Sequence, residues 1–96
     1  MKDKCGYVYM MMNNMNTVIY VGVTSNLKER IWQHRNGLVD GFTKRYKVAK
    51  LVYFEVFDSV TKAITREKQL KAGSRRDKER LIFGQNPDRH DRFDEI

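Results

Sequence analysis

The chain has 96 residues, which is enough for one domain with its own core but not for two. Hydrophobic residues make up 41% of the sequence and charged residues 32%, a balance that excludes a disordered chain and is typical of globular domains. The net charge of +7 favours a polyanionic partner, most simply nucleic acid, over a surface that only confers solubility.

The cysteine content and the apolar runs bear on the compartment. A single cysteine, Cys5, excludes an intramolecular disulfide and fits a reducing environment. Residues 1–6 lack the long uncharged apolar region of a signal peptide. No apolar stretch approaches the roughly 20 residues that span a bilayer. We therefore expect a cytoplasmic protein without a membrane partner.

The first predicted elements are two strands joined by an asparagine-rich turn. Apolar runs that contain aromatic and β-branched residues lie at 7–12 and 17–21 and flank the turn at 13–16, as in a β-hairpin. We expect Gly22 to end the second strand.

The hairpin brings two tyrosines together. If the turn is symmetric about Asn14 and Met15, Tyr9 faces Tyr20 directly, and the two phenols project from the same face of the sheet. A one-residue change of register would separate them. The pair either stabilises the hairpin or includes a phenol that handles a proton. The second role requires nearby positive charge, because a free tyrosine has a pKa of about 10.

The remaining pattern predicts three helices and a third strand, with capping residues where the helices begin. The ranges are a helix over 27–35, a strand over 48–57, a helix over 60–71 and a short helix over 76–83. The third strand is apolar enough to be central. The order predicts an α+β fold, a three-stranded, mostly antiparallel sheet with helices on one face. We take 1–87 as the domain and 88–96 as a polar tail.

Two polar residues lie at the edge of the apolar stripe on the first helix. Leu27 and Ile31 mark the stripe, and Arg30 and His34 follow one edge of it. Their spacing of four makes their side chains neighbours. They either point into a cleft or extend outward to solvent.

The second helix carries a carboxylate on its apolar side. That side is formed by Val60, Ala63, Ile64 and Leu70. Glu67 falls within it, which is costly unless the carboxylate is paired. One interpretation is a buried salt bridge, for instance to Arg30. The other is a ligand for Mg²⁺, which commonly takes one or two protein carboxylates and completes its shell with water and phosphate. No CxxC or HxxxH spacing indicates zinc.

Together these residues resemble the GIY-YIG nuclease superfamily, and most closely its small stand-alone branch, related to the N-terminal domain of the excinuclease C subunit. The resemblance covers about residues 6–87. The naming motifs correspond to Tyr-Val-Tyr at 7–9 and Tyr-Val-Gly at 20–22. The positions that match functional residues of the family are Tyr9, Tyr20, Arg30, His34, Glu67 and Asn86.

The resemblance implies a metal-dependent endonuclease that hydrolyses DNA, acting on flaps, branches or damaged sites as in DNA repair and recombination. It implies that Tyr9 or Tyr20 is the general base and that Arg30 balances charge on the phosphate. It further implies that Glu67 holds one Mg²⁺ or Mn²⁺ ion. His34 would hydrogen-bond a tyrosine or assist proton transfer, and Asn86 would lie near the site.

Basic residues are candidates for contacts with the phosphate backbone. They are Lys44, Arg45, Lys71, Arg75 and Arg76. Each is equally open to interpretation as a solvated surface charge. The alternatives to a nuclease are a non-catalytic nucleic-acid-binding module and a domain that binds an acidic protein. The oligomeric state is left open.

Overall fold

The computed structural model describes residues 5–39 and 41–96. The expectation about a signal peptide falls mainly on residues 1–4, which lie outside the described residues. Within the described ranges, no helix combines the length and apolar character that crossing a membrane would require. The elements are β1 (Gly6–Met12), β2 (Ile19–Thr24), α1 (Leu27–Arg35), α2 (Phe42–Arg45), β3 (Lys50–Phe57), α3 (Val60–Ala72), α4 (Arg75–Gln85) and a 3₁₀ turn (Phe93–Glu95).

The three strands form an antiparallel sheet in the order β2-β1-β3, which confirms the predicted α+β class. The prediction that the third strand is central was wrong, because β1 occupies that place and its residues 8–12 are fully buried. β3 is an edge strand, and side chains that follow it in the sequence accept hydrogen bonds from its backbone. Phe54 N–H donates to Gln85 Oε1 at 3.0 Å, and Leu51 N–H donates to Asp91 Oδ1 at 3.2 Å. An apolar edge is thus covered rather than open to another chain.

Helices cover both faces of the sheet, and not one face as the sequence pattern had indicated. Val8 and Met10 of β1 face a core formed with α3 and α4. Tyr9 and Met11 point the other way, into a core formed with α1. Successive side chains of a strand alternate between faces, and here both sets are apolar. Each face therefore needs its own covering layer.

Side-chain caps set where the helices begin. The Asn26 side chain accepts from Glu29 N–H at 3.2 Å before α1, and Ser59 does the same for α3. Ser74 and Asp77 form a reciprocal capping box before α4. Such caps stabilise a helix by about 1 kcal/mol each.

The hairpin register differs from the predicted one by two residues. Tyr9 lies opposite Gly22, and Tyr20 lies opposite Met11. β2 does not end at Gly22 but continues to Thr24. A two-residue shift preserves the face to which each side chain points. The two phenols therefore still share a face, as diagonal neighbours rather than as a directly opposed pair.

The turn explains the shift. The Asn13 side chain accepts from Thr17 N–H at 2.9 Å and from Val18 N–H at 3.0 Å. These hydrogen bonds occupy the backbone that a tighter turn would have paired across the hairpin. Strand pairing consequently starts at Met12 and Ile19.

Residues 88–96, expected to be a polar tail, lie against the sheet. Arg92 N–H donates to the Leu51 carbonyl oxygen at 2.8 Å. Phe93 and Ile96 pack against the core on the α1 side. The segment therefore covers the outer edge of β3.

Candidate active site

Tyr9 lies at the centre of the site, and its side chain is 0% exposed. Its ring crosses the neighbouring strand at Gly22, where an added Cβ would lie 2.4 Å from both Cζ and Oη of Tyr9. The glycine is therefore a packing requirement of the buried phenol. The expectation that Gly22 ends the second strand was wrong, because the residue lies inside β2.

Three aromatic rings form a compact cluster. The ring centroids of Tyr9 and Tyr20 are 6.2 Å apart. The imidazole of His34, on α1, lies 5.8 Å from the Tyr9 ring and 5.4 Å from the Tyr20 ring. The predicted proximity of the two phenols is thus present, with a histidine packed against both.

A hydrogen-bonded chain runs through His34, which is 4% exposed. Its Nε2 lies 2.9 Å from the Tyr9 hydroxyl, and its Nδ1 lies 2.9 Å from Thr43 Oγ1. Burial, and then the charge of Arg30, lower the pKa of His34 to about 4, so the ring is neutral at pH 7. A neutral imidazole donates through one nitrogen and accepts through the other. The hydrogen bonds from His34 to Tyr9 and to Thr43 can therefore both form in either tautomer of the imidazole.

Sequence reasoning missed Thr43. The residue lies in α2, a four-residue helix that is too short to show a periodic pattern in the sequence. It is buried although its helical neighbours Phe42, Lys44 and Arg45 are exposed. A small hydroxyl residue in such a setting carries no sequence signal that distinguishes it from an ordinary loop residue.

Arg30 reaches the same cluster. Burial raises the pKa of the Tyr9 hydroxyl, and the charges of Tyr20 and Glu67 raise it further. Arg30 opposes this shift through its charge and through hydrogen bonding, and it also lowers the pKa of His34. Of the two predicted orientations for Arg30 and His34, the structure has the inward one. Tyr9 remains protonated and acts as a hydrogen-bonding group.

Glu67 has a different partner from the one suggested by the sequence. Its side chain is 14% exposed and its Oε2 lies 2.9 Å from Lys71 Nζ, one turn along α3. In the described ranges, no group of three His, Cys, Asp or Glu side chains is placed to hold a metal. A metal here would depend on Glu67, with water and phosphate as the other ligands. A largely buried carboxylate oxygen fits a hard divalent cation, and Lys71 would have to share it.

Asn86 is not among the residues that converge on Tyr9. Its side chain is buried at the end of α4, and its Nδ2 donates to the Val52 carbonyl oxygen at 3.1 Å and to that of His90 at 2.8 Å. β3, which contains Val52, lies on the opposite side of β1 from β2. These contacts give Asn86 a structural role, joining α4 and the C-terminal segment to the sheet.

The predicted phosphate-binding residues fall into distinct environments. Lys44 and Arg45 lie on α2, beside the ring cluster, and Lys71 is paired with Glu67. Arg76 is exposed on α4. Arg75 instead donates to the Thr17 carbonyl oxygen at 2.8 Å and so holds the hairpin loop. Four of these cations therefore remain candidates for phosphate contacts, and Arg75 has a structural task.

The fold and the site together define a small α+β domain in which two strand tyrosines, a helical arginine and histidine, and a nearby glutamate act on one another. The family model described as GIY-YIG catalytic domain matches residues 5–80, and the chain belongs to this family. The match confirms the resemblance inferred from the motifs. GIY-YIG domains form a nuclease superfamily.

The chain is also similar to curated relatives and to a solved structure. The chain is 38% identical over 84 residues to a UPF0213 protein of Syntrophus aciditrophicus, covering 86% of this chain and 94% of that protein. It is 38% identical over 76 residues to the UPF0213 protein CPE1444 of Clostridium perfringens, covering 79% and 81%. It is also similar to the solution NMR structure of the UPF0213 protein BH0048 from Bacillus halodurans. That similarity has a TM-score of 0.52 and 31% identity, over 81% of this chain and 82% of the other.

Proposed function

We propose that this chain is a metal-dependent endonuclease that hydrolyses phosphodiester bonds in DNA. The observation that supports the proposal most directly is the ring cluster of Tyr9, Tyr20 and His34, with Arg30 and Glu67 close enough to shift its protonation. Membership in the GIY-YIG family and the net charge of +7 support the same conclusion.

Tyr20 is the phenol that serves the attacking water. Tyr9 is fully buried, its hydroxyl is engaged by His34, and burial raises its pKa. Tyr20 projects from the same face but is partly exposed, and we therefore assign the reacting phenol to it. In its phenolate form, Tyr20 would orient the water and accept its proton to become the neutral phenol, while Tyr9 and His34 hold the ring in place.

Arg30 and Glu67 act on the phosphate. The planar guanidinium of Arg30 carries fixed donors that suit the charge developing on the phosphate oxygens. Glu67 would hold the Mg²⁺ or Mn²⁺ ion, which would supply charge stabilisation to the phosphate and its leaving oxygen. Until a metal ion binds, the ammonium group of Lys71 balances the negative charge of the Glu67 carboxylate.

Cleavage of a labelled DNA panel tests the proposal. Single-stranded, duplex, flap and branched substrates are incubated with Mg²⁺ or Mn²⁺, and we expect wild type to cut at least one of them. Glu67→Ala and Arg30→Ala should each lower that rate by about 10²-fold or more. Asp58→Ala is the matched control, since Asp58 is an exposed carboxylate just before α3 and pairs with Lys62 of that helix at 3.0 Å.

The outcome separates catalysis from binding. Asp58→Ala should cut at the wild-type rate. Salt-dependent DNA binding by wild type without cutting any substrate would reject the nuclease and favour the non-catalytic binding module. Undiminished cutting by Glu67→Ala would reject the assigned metal ligand.

A further inference from the structure

The short helix α2 and its C-cap residue each present a large aromatic side chain to solvent. Phe42 is 47% exposed and Tyr46 is 45% exposed. The Phe42 ring stacks on that of Tyr20, with centroids 6.2 Å apart and planes inclined by 26°. The Tyr46 ring follows at 4.8 Å from Phe42. We call these three rings, of Tyr20, Phe42 and Tyr46, the aromatic shelf. The shelf begins at Tyr20, the proposed general base, and runs outward to the surface.

The shelf is held in position by the buried side of α2. The Thr43 hydroxyl contacts His34 Nδ1 at 2.9 Å, and Val48 N–H donates to the Thr43 carbonyl oxygen at 2.9 Å. The small polar residue is thus turned inward, and the large apolar Phe42 is left outside. Burial of a phenylalanine side chain would stabilise the fold. An arrangement that forgoes this burial beside a candidate active site points to a ligand for the exposed rings.

Cations surround the shelf. The guanidinium of Arg45 lies 5.5 Å from the centre of the Tyr46 ring. Lys44 and Lys47 are exposed neighbours on the same short segment. Aromatic faces interleaved with basic side chains match the two parts of a single-stranded nucleic acid, which stacks its bases on the rings and pairs its phosphates with the cations. An apolar protein surface would gain nothing from these charges.

We propose that the aromatic shelf stacks an unpaired base of the DNA strand next to the phosphate that is cut. The inference rests on the proposed function, because Tyr20 is both the inner ring of the shelf and the proposed general base of the cleavage reaction. A base inside a duplex has both faces covered by its neighbours, whereas an unpaired base has a face to offer and costs less to extract. The shelf therefore selects sites where the duplex is open, with little preference among the four bases.

Binding without metal isolates this step from cleavage. The affinities of wild type and Phe42→Leu are measured in EDTA for a fully paired duplex and for the same duplex with a one-base bulge. Leucine keeps an apolar side chain against Tyr20 but has no ring. Stacking of a base on an aromatic residue contributes about 1–3 kcal/mol, which corresponds to roughly 5- to 150-fold in affinity. We expect that loss for the bulged DNA and less than about a twofold change for the duplex.

Control variants test whether the loss belongs to the shelf. Phe83→Leu makes the same change at an exposed ring on α4 and should leave both affinities unchanged. Phe42→Trp restores a ring and should retain the bulge preference. If Phe42→Leu does not fold, Tyr46→Leu tests the outer ring in the same way. With 2-aminopurine as the bulged base, wild type should quench its fluorescence and the ring-less variant should not.

Three results would overturn the inference. They are an equal loss for duplex and bulged DNA, no loss for Phe42→Leu, and the same loss in Phe83→Leu. Any of these results would refute the proposal that the shelf stacks a base. If wild type also cleaves DNA in a metal-dependent manner, the proposed nuclease function would still stand. Ring-dependent binding of bulged DNA with no cleavage in Mg²⁺ or Mn²⁺ would support the shelf and reject the nuclease.

Discussion

Replacing Gly22 by alanine tests whether the buried phenol depends on its neighbour. An added Cβ would lie 2.4 Å from Cζ and Oη of Tyr9 and 2.9 Å from its Cε2. The ring would have to move inside a packed core, and overpacking of this kind costs about 1–3 kcal/mol. Loss of the hydrogen bond to His34 adds about 1 kcal/mol. We expect Gly22→Ala to be about 2–4 kcal/mol less stable than wild type.

Thermal and urea denaturation followed by circular dichroism measure this loss. For a domain of this size, 1 kcal/mol shifts Tm by about 4–8 °C, so Tm should fall by about 10–30 °C. Gly84→Ala is the matched control, because it lies in α4 and a Cβ there would meet nothing within 4 Å. That variant should gain up to about 1 kcal/mol from helix propensity.

A second background shows whether the cost comes from the Tyr9 ring. Tyr9→Leu lacks the three atoms that the added Cβ would approach, Cε2, Cζ and Oη. Gly22→Ala should therefore cost less than about 1 kcal/mol in that background, which makes the two changes strongly coupled. Wild-type stability of Gly22→Ala, or the same cost in both backgrounds, would refute the reasoning.

Two further predictions concern protonation and metal binding. Because the pKa of His34 is lowered from 6.5 to about 4 in the folded state, the unfolded chain takes up this proton first as the pH falls. Stability in urea should therefore decrease by up to about 3 kcal/mol between pH 6.5 and 4, and His34→Gln should lose that part of the slope. Lys71→Ala should strengthen Mn²⁺ binding, measured by calorimetry, because Glu67 loses a competing cation. Lys62→Ala, which removes an exposed lysine from the same helix, should leave Mn²⁺ binding unchanged. Equal affinities of the two variants for Mn²⁺ would contradict the prediction.

Local sequence patterns predicted most of the secondary structure. They did not predict the strand register or the contacts between residues that are distant in sequence. The caps at Asn26 and Ser59 are encoded within a few residues, and the predicted helix starts at residues 27 and 60 were correct. The register was not, because it depends on side-chain hydrogen bonds from Asn13 within the turn. The place of β3 at the edge was hidden because its cover includes Gln85 of α4 and the C-terminal segment.

The site was predictable to a similar extent. A shared face for Tyr9 and Tyr20 follows from strand alternation, and it survived the register error because the shift was even. Helical spacing placed Glu67 on a buried side but could not choose Lys71 over Arg30 as its partner. Thr43 escaped because its role depends on a contact with His34 made by a four-residue helix.

Single-turnover cleavage by Tyr20→Phe tests the central claim most directly. Phenylalanine keeps the ring between His34 and Phe42 and removes only the hydroxyl. We expect the rate to fall by about 10²- to 10⁴-fold, as for loss of a general base, with DNA binding in EDTA unchanged. Tyr7→Phe, the same change on β1, should cut within about twofold of wild type. Cleavage by Tyr20→Phe at the wild-type rate would contradict the assignment of this tyrosine as the reacting phenol.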